Sequence, residues 1–178
     1  MNMASELTVQ TLRGPTSGTN ADTVLIPSGQ TLHAPGHVIQ AVQSTGTNGS
    51  IFTSSNAYVA TPYTGTITPK FTTSKILVTI SFSVLLRATG SDNSAALGFS
   101  LKRGSTRVVS SVSNNHEMFI SGSGILSASR QSFVYLDSPN TASSTTYSLE
   151  GLPRYSGQTT EFDSRQSTWS VTLQEIAQ

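Results

Sequence analysis

Between Lys75 and Arg87 the chain reads Lys75-Ile-Leu-Val-Thr-Ile-Ser-Phe-Ser-Val-Leu-Leu-Arg87, with Ile76, Val78, Ile80, Phe82, Val84 and Leu86 at every second position. Side chains alternate between the two faces of a strand, so this run predicts a β-strand with one face in a core. A helix would gather Ile76, Ile80 and Val84 but scatter Val78, Phe82 and Leu86, and the β-branched and aromatic content also favours a strand. The opposite face carries Lys75, Thr79, Ser81, Ser83 and Arg87 together with Leu77 and Leu85. Two leucines there predict an apolar cover over part of the outer face.

The same reading extends along the chain. Strands are expected near 37–44, 64–71, 75–87, 96–103, 107–112, 117–121, 131–136, 145–149 and 168–176, separated by clusters of Gly, Pro, Asn and Ser. Short strands at near-regular spacing, without convincing helical periodicity, predict an all-β, jelly-roll-like antiparallel β-sandwich. Lys102-Arg-Gly-Ser-Thr106 reads as a tight turn with Gly104 at positive φ, and Gly90-Ser-Asp-Asn-Ser94 as a hairpin or inter-sheet loop. Trp169, Val171 and Leu173 alternate near the end, so the last strand closes the fold and its deletion should unfold it. Removing the first ten residues should not.

Residues 1–35 differ. Their apolar residues Leu7, Val9, Leu12, Val24, Ile26 and Leu32 are interrupted by Arg13-Gly-Pro-Thr-Ser-Gly-Thr-Asn20 and Pro27-Ser-Gly-Gln30, which is turn chemistry too dense for a self-contained core. The expected organisation is an extended N-terminal arm over 1–35, used for attachment or trimerisation, and a β-sandwich head over 36–178. The arm's six aliphatics are the expected anchoring residues.

Charge and composition narrow the function classes. Ten basic and nine acidic side chains leave a net charge of +1 with no cationic run, which argues against nucleic acid as a partner. Serine and threonine supply roughly 30% of the residues, a hydroxyl-rich solvation common in extracellular and viral all-β proteins. The absence of cysteine excludes disulfides, thiolate metal sites and thiol nucleophiles. No apolar segment approaches the ~20 residues of a membrane-spanning helix, and Met1–Leu7 lacks the pattern of a secretory signal. These features predict a component assembled in a host cytoplasm and exposed on a particle, with no membrane insertion.

The order of several segments carries a resemblance. Leu7-Thr-Val-Gln-Thr-Leu-Arg-Gly-Pro-Thr-Ser-Gly18, Ala21-Asp-Thr-Val-Leu-Ile-Pro-Ser-Gly-Gln-Thr-Leu32 and Pro35-Gly-His-Val-Ile-Gln40 come first. Ser74-Lys-Ile-Leu-Val78, Leu101-Lys-Arg-Gly-Ser105 and Val171-Thr-Leu-Gln-Glu-Ile176 follow. Over most of its length the chain resembles short virion proteins of tailed bacteriophages, of the marine and cyanobacterial type, usually labelled tail-fibre or virion structural proteins. The resemblance implies a homotrimer with a β-rich head on the exterior of the virion, held to other virion proteins by the N-terminal segment. A fibre or knob in contact with the host surface is one form of this expectation and a capsid decoration protein at three-fold sites another; a free carbohydrate-binding module, which would need no ordered arm, is the alternative of a different class.

Candidate chemistry is sparse. Pro35-Gly36 between His33 and His37 breaks the helix that would pair two imidazoles, leaving turn histidines, or one imidazole per chain on a three-fold axis, as the readings. No metal or cofactor is expected. His116 reads as a strand-edge residue, and Gly122-Ser-Gly124 opens no helix as a nucleophile elbow would. Asp137, Glu150, Glu161 and Asp163 could serve a glycosidase only if two of them faced each other roughly 5 to 9 Å apart. No enzymatic activity is expected. Tyr58, Tyr63, Tyr147, Tyr155 and Trp169 could stack on sugars if gathered, although the phase of Trp169 places it in the core. Arg154 and Tyr155, in Leu152-Pro-Arg-Tyr-Ser-Gly157, are the residues expected to contact an external ligand such as a host glycan.

Overall fold

The computed structural model describes residues 14–19, 23–47, 50–53, 57–88, 94–110, 118–155, 158–162 and 167–178. Residues 34–178 form one compact unit and 1–33 another. Every regular element described is a strand: β1 (Val38–Gly46), β2 (Ser50–Thr53), β3 (Val59–Ile67), β4 (Lys75–Ala88), β5 (Ser94–Arg103), β6 (Thr106–Ser110), β7 (Met118–Ser121), β8 (Leu126–Asp137), β9 (Thr145–Pro153), β10 (Gln158–Phe162) and β11 (Trp169–Ile176).

The strands form two antiparallel sheets. In the first, β4 pairs with β8 along one edge, while β11 and β10 share its other edge and carry β1 and β2 beyond them. In the second the order is β3-β9-β5, with β6 and β7 sharing the outer edge of β5. Counting β6 with β7 and β10 with β11, the chain folds as a long hairpin rolled on itself: β1 pairs β11, β3 pairs β9, β4 pairs β8, and β5 pairs β6 and β7. That connectivity is a jelly roll. It closes the sandwich by pairing strands far apart in sequence, so no contiguous segment of the head can hold the fold alone.

Alternation along β4 does what its sequence requires. Ile76, Val78, Ile80, Phe82, Val84 and Leu86 are buried between the sheets, and Lys75, Leu77, Thr79, Ser81 and Ser83 lie half-buried on the outer face. Phe82 sits at the centre of an aromatic cluster, its ring 4.9 Å from Tyr63, 5.2 Å from Phe99 and 6.0 Å from Phe162. Trp169, Val171 and Leu173 of β11 enter the same core, as their spacing predicts.

Two turns show their chemistry directly. His37 N–H donates to Ala34 O at 2.9 Å with Gly36 at φ 81°, a type II turn with proline and glycine at its two centres. Gly104, at φ 57°, makes the two-residue link between β5 and β6. The hairpin or loop expected over 90–94 lies outside the described residues, apart from Ser94 at the start of β5.

The end of the sandwich is held by Glu175. Its carboxylate accepts the backbone N–H groups of Lys70 (2.8 Å) and Phe71 (3.2 Å) and the Gln40 amide (2.6 Å). Burial opposes ionisation, but the Lys70 N–H, the Gln40 and Ser74 side chains and the Phe71 N–H together hold its pKa below the ordinary glutamate value. This ties the loop between β3 and β4 to the last strand.

Candidate functional site

Of the carboxylates considered for catalysis, Asp137, Glu150 and Glu161 point in three directions. Asp137, at the end of β8, faces inward and accepts the Tyr147 hydroxyl at 2.6 Å and Arg103 Nη1 at 2.8 and 3.1 Å. Burial, and then the Asp137 carboxylate beside it, push the Tyr147 phenol far above its usual range. Glu150 lies on the outer face of the second sheet, where Arg107 Nε donates to it at 2.8 Å and Lys102 Nζ stands 3.5 Å away. The Arg107 guanidinium also covers the Tyr58 ring at 4.2 Å. Glu161 is on the outer face of the first sheet, paired across from Leu85. These three therefore share no cleft in which two could flank a glycosidic bond, while Asp163 lies outside the described residues.

The tyrosines separate as well. Tyr63 and Tyr147 have no exposed surface, so the structure removes both from the set able to stack on a sugar. Each occupies an inward position of its strand, and the Tyr147 hydroxyl is satisfied by Asp137 rather than by solvent. Tyr155 and Arg154 do lie just beyond β9, half-buried, although the preceding Leu152 and Pro153 belong to the strand and are buried. Tyr155 meets Phe119 of β7, their ring centres 6.1 Å apart. Phe119 is 53% exposed, and sequence reasoning had not singled it out.

Around β8 lies an exposed apolar surface. Its outer side chains stand directly across from those of β4: Leu136 beside Leu77, Val134 beside Thr79, Ala128 beside Leu85 and Leu126 beside Arg87. Val134 is 60% exposed and Leu136 46%, and Ile176 of β11 extends the patch next to Lys75. Leu85 needs no external cover, being only 5% exposed between Ala128 and Glu161. Arg130 lies along the same face, donating to Ser81 Oγ at 3.2 Å and Thr168 O at 3.1 Å, and bounds a hollow of about 360 Å³ with Ser83, Leu85, Ala128 and Ser167.

The inner side of β8 is also incompletely covered. Phe133 and Tyr135 are half-buried, as are Val108 of β6 and Met118 and Ile120 of β7, because these strands are the open edges of the two sheets. Ser129 meets Met118 across this flank at 3.6 Å. Among the described residues, the backbone of β8 is paired on one side only. Twelve residues of open edge with no proline and a single charged side chain before the terminal Asp137 is the pattern that soluble monomers avoid.

In residues 1–33, considered by themselves, Val24, Ile26 and Leu32 are 45–49% exposed, and Leu25 is exposed with them. The turn expected at Pro27–Gln30 forms, with Gln30 N–H donating to Pro27 O at 3.0 Å. Leu7, Val9 and Leu12 lie outside the described residues, and so does His116. His33 and His37 are both exposed. Among the described residues no three His, Asp or Glu side chains gather as a metal site would require.

No protein-family model matches the chain, and no curated protein matches it by sequence. Solved structures of similar shape include infectious bursal disease virus Gx strain (10% identity, TM-score 0.39, covering 90% of this chain and 42% of that one). The Gt strain gives 10% identity and a TM-score of 0.40 over 93% and 41%, and the VP2 subviral particle of the same virus 12% and 0.39 over 92% and 46%. The chain spans less than half the length of each of these solved chains.

Proposed function

We propose that this is a non-enzymatic structural protein of the bacteriophage virion surface, a homotrimeric fibre head or knob whose N-terminal arm docks on other virion proteins. The observation that carries the reading is the pair of apolar surfaces on either side of β8. One is the outer face bearing Leu77, Val134 and Leu136, and the other is the flank bearing Phe133, Tyr135, Met118 and Ile120. A two-fold dimer buries one patch against itself, whereas two different patches favour a contact of one copy's first surface with the next copy's second. Three copies are the smallest ring that closes such a contact. The resemblance of the sequence to phage virion proteins supports the same assembly.

The arm supplies attachment in this reading. Val24, Leu25, Ile26 and Leu32 are apolar, exposed and interrupted by turns, so their burial falls to a partner surface, each large aliphatic contributing about 1.5–3 kcal/mol when fully covered. A protein beginning at Pro35 is expected to fold into the β head and to be missing from purified particles, and Val24→Asp with Ile26→Asp should imitate that loss. Immunoblotting of gradient-purified virions checks it. The shortened head at full occupancy on particles would remove the anchoring role and favour a free carbohydrate-binding module. A second reading, a capsid decoration protein at three-fold sites, is favoured by one observation: no helix, and hence no coiled-coil shaft, is present among the described residues.

A further inference from the structure

Phe119 of β7 is an exposed aromatic side chain. In β7 the side chains of Met118 and Ile120 turn toward the core while Phe119 and Ser121 turn outward, and Phe119 is 53% exposed. It is not isolated, because Tyr155 stands beside it at 6.1 Å with the two ring planes inclined at 52°. An open corner of two aromatic faces is thus built from β7 and the segment following β9.

That segment is held from beneath by one buried side chain. Gln158 is 1% exposed, and its amide oxygen accepts the backbone N–H groups of Tyr155 (2.9 Å), Ala96 (3.0 Å) and Arg154 (3.3 Å). Its amide nitrogen donates to Ala96 O at 2.9 Å and Thr160 Oγ1 at 3.1 Å. Arg154 N–H also reaches Ala96 O at 3.1 Å. A glutamine buried and saturated in this way fixes the backbone of Arg154 and Tyr155 against β5, the strand whose Ala96 is paired directly with Phe119. The two rings are therefore set in place before any ligand arrives, which lowers the entropy lost on binding.

We propose that Phe119 and Tyr155 form a carbohydrate-binding platform that takes a pyranose ring by stacking, with Arg154 as the hydrogen-bond donor to its hydroxyl rim. A sugar offers one face of C–H groups to an aromatic ring and a rim of hydroxyls to a polar neighbour, and this corner supplies both. The chain's near-neutral charge and lack of a basic run do not suit nucleic acid. The proposal deepens the reading of the chain as an outward-facing virion protein and rests on it.

Saturation-transfer NMR on the full chain tests it, with the methyl pyranosides of glucose, galactose, mannose and N-acetylglucosamine and with lipopolysaccharide O-chains as probes. Transfer to the ring C–H protons of at least one probe is expected. Phe119→Ala and Tyr155→Ala should each weaken it about tenfold, at unchanged melting temperature and sedimentation. Absence of transfer from every probe, or transfer that survives the double variant, would overturn the proposal. A change in sedimentation on Phe119→Ala would overturn it too, by assigning the corner to subunit contact. Loss of glycan binding in a protein that still assembles leaves the structural reading intact. Glycan binding by a stable monomer instead overturns the trimer while leaving the platform.

Discussion

Removing residues 169–178 is expected to abolish folding of the β head outright. β11 is an inner strand of the first sheet, paired along its whole length with β1 on one side and with Lys75–Ser81 of β4 on the other. Its loss strips both neighbours of their hydrogen-bond partner and takes Trp169, Val171, Leu173 and Ala177 out of the core. The three large side chains alone are worth about 1.5–3 kcal/mol each. Glu175 leaves with them, exposing the N–H groups of Lys70 and Phe71 and freeing the loop before β4. Since a domain's whole stability is about 5–15 kcal/mol, no cooperative unfolding transition should survive in calorimetry or in denaturant. A truncated protein that melted cooperatively near the wild-type temperature would refute the placement of β11.

Phe82→Ala is expected to be the most damaging of the conservative core truncations, costing about 3–5 kcal/mol. The ring is fully buried and contacts Tyr63, Phe99 and Phe162, which come from β3, β5 and β10 and so from both sheets. Those neighbours are themselves held at strand positions, so the cavity cannot collapse easily, and the spread of measured costs depends on that freedom. Ser81→Ala, one residue away on the outer face, should change stability by less than about 0.5 kcal/mol. Urea unfolding of the two variants checks the phase of the strand. Equal midpoints would mean that the alternation along β4 had been assigned to the wrong faces.

The central strand was legible because six apolar residues keep strict alternation over eleven positions, and that pattern survives only if one face is buried. The last strand was legible for the same reason through Trp169, Val171 and Leu173. β10 escaped because its inward residues are Gln158, Thr160 and Phe162, two of them polar; the buried glutamine binds backbone groups of a different strand, which no local pattern announces. β8 was recognised only from Gln131, since its first half places Ser127 and Ser129 inward and Leu126 and Ala128 outward, the reverse of a monomer's edge strand. In the proposed trimer a neighbouring copy covers that outer face.

Candidate site residues were harder to read. Tyr63 and Tyr147 resembled exposed stackers by residue type, yet the run Tyr147, Leu149, Gly151 has the alternation of an inward face and could have placed Tyr147 in the core. Phe119 gave no signal, because a four-residue strand is too short to show which way its one phenylalanine points. For Arg154 and Tyr155 only the position was legible, from the Pro and Gly around them, which mark the place where β9 ends.

Multi-angle light scattering of the full chain at micromolar concentration tests the assembly most directly. A mass three times the 18.8 kDa of one chain is expected, and Val134→Asp with Leu136→Asp should reduce it to a folded monomer, since both side chains are exposed in the single chain. A wild-type protein that stays at 18.8 kDa across that range would contradict the account.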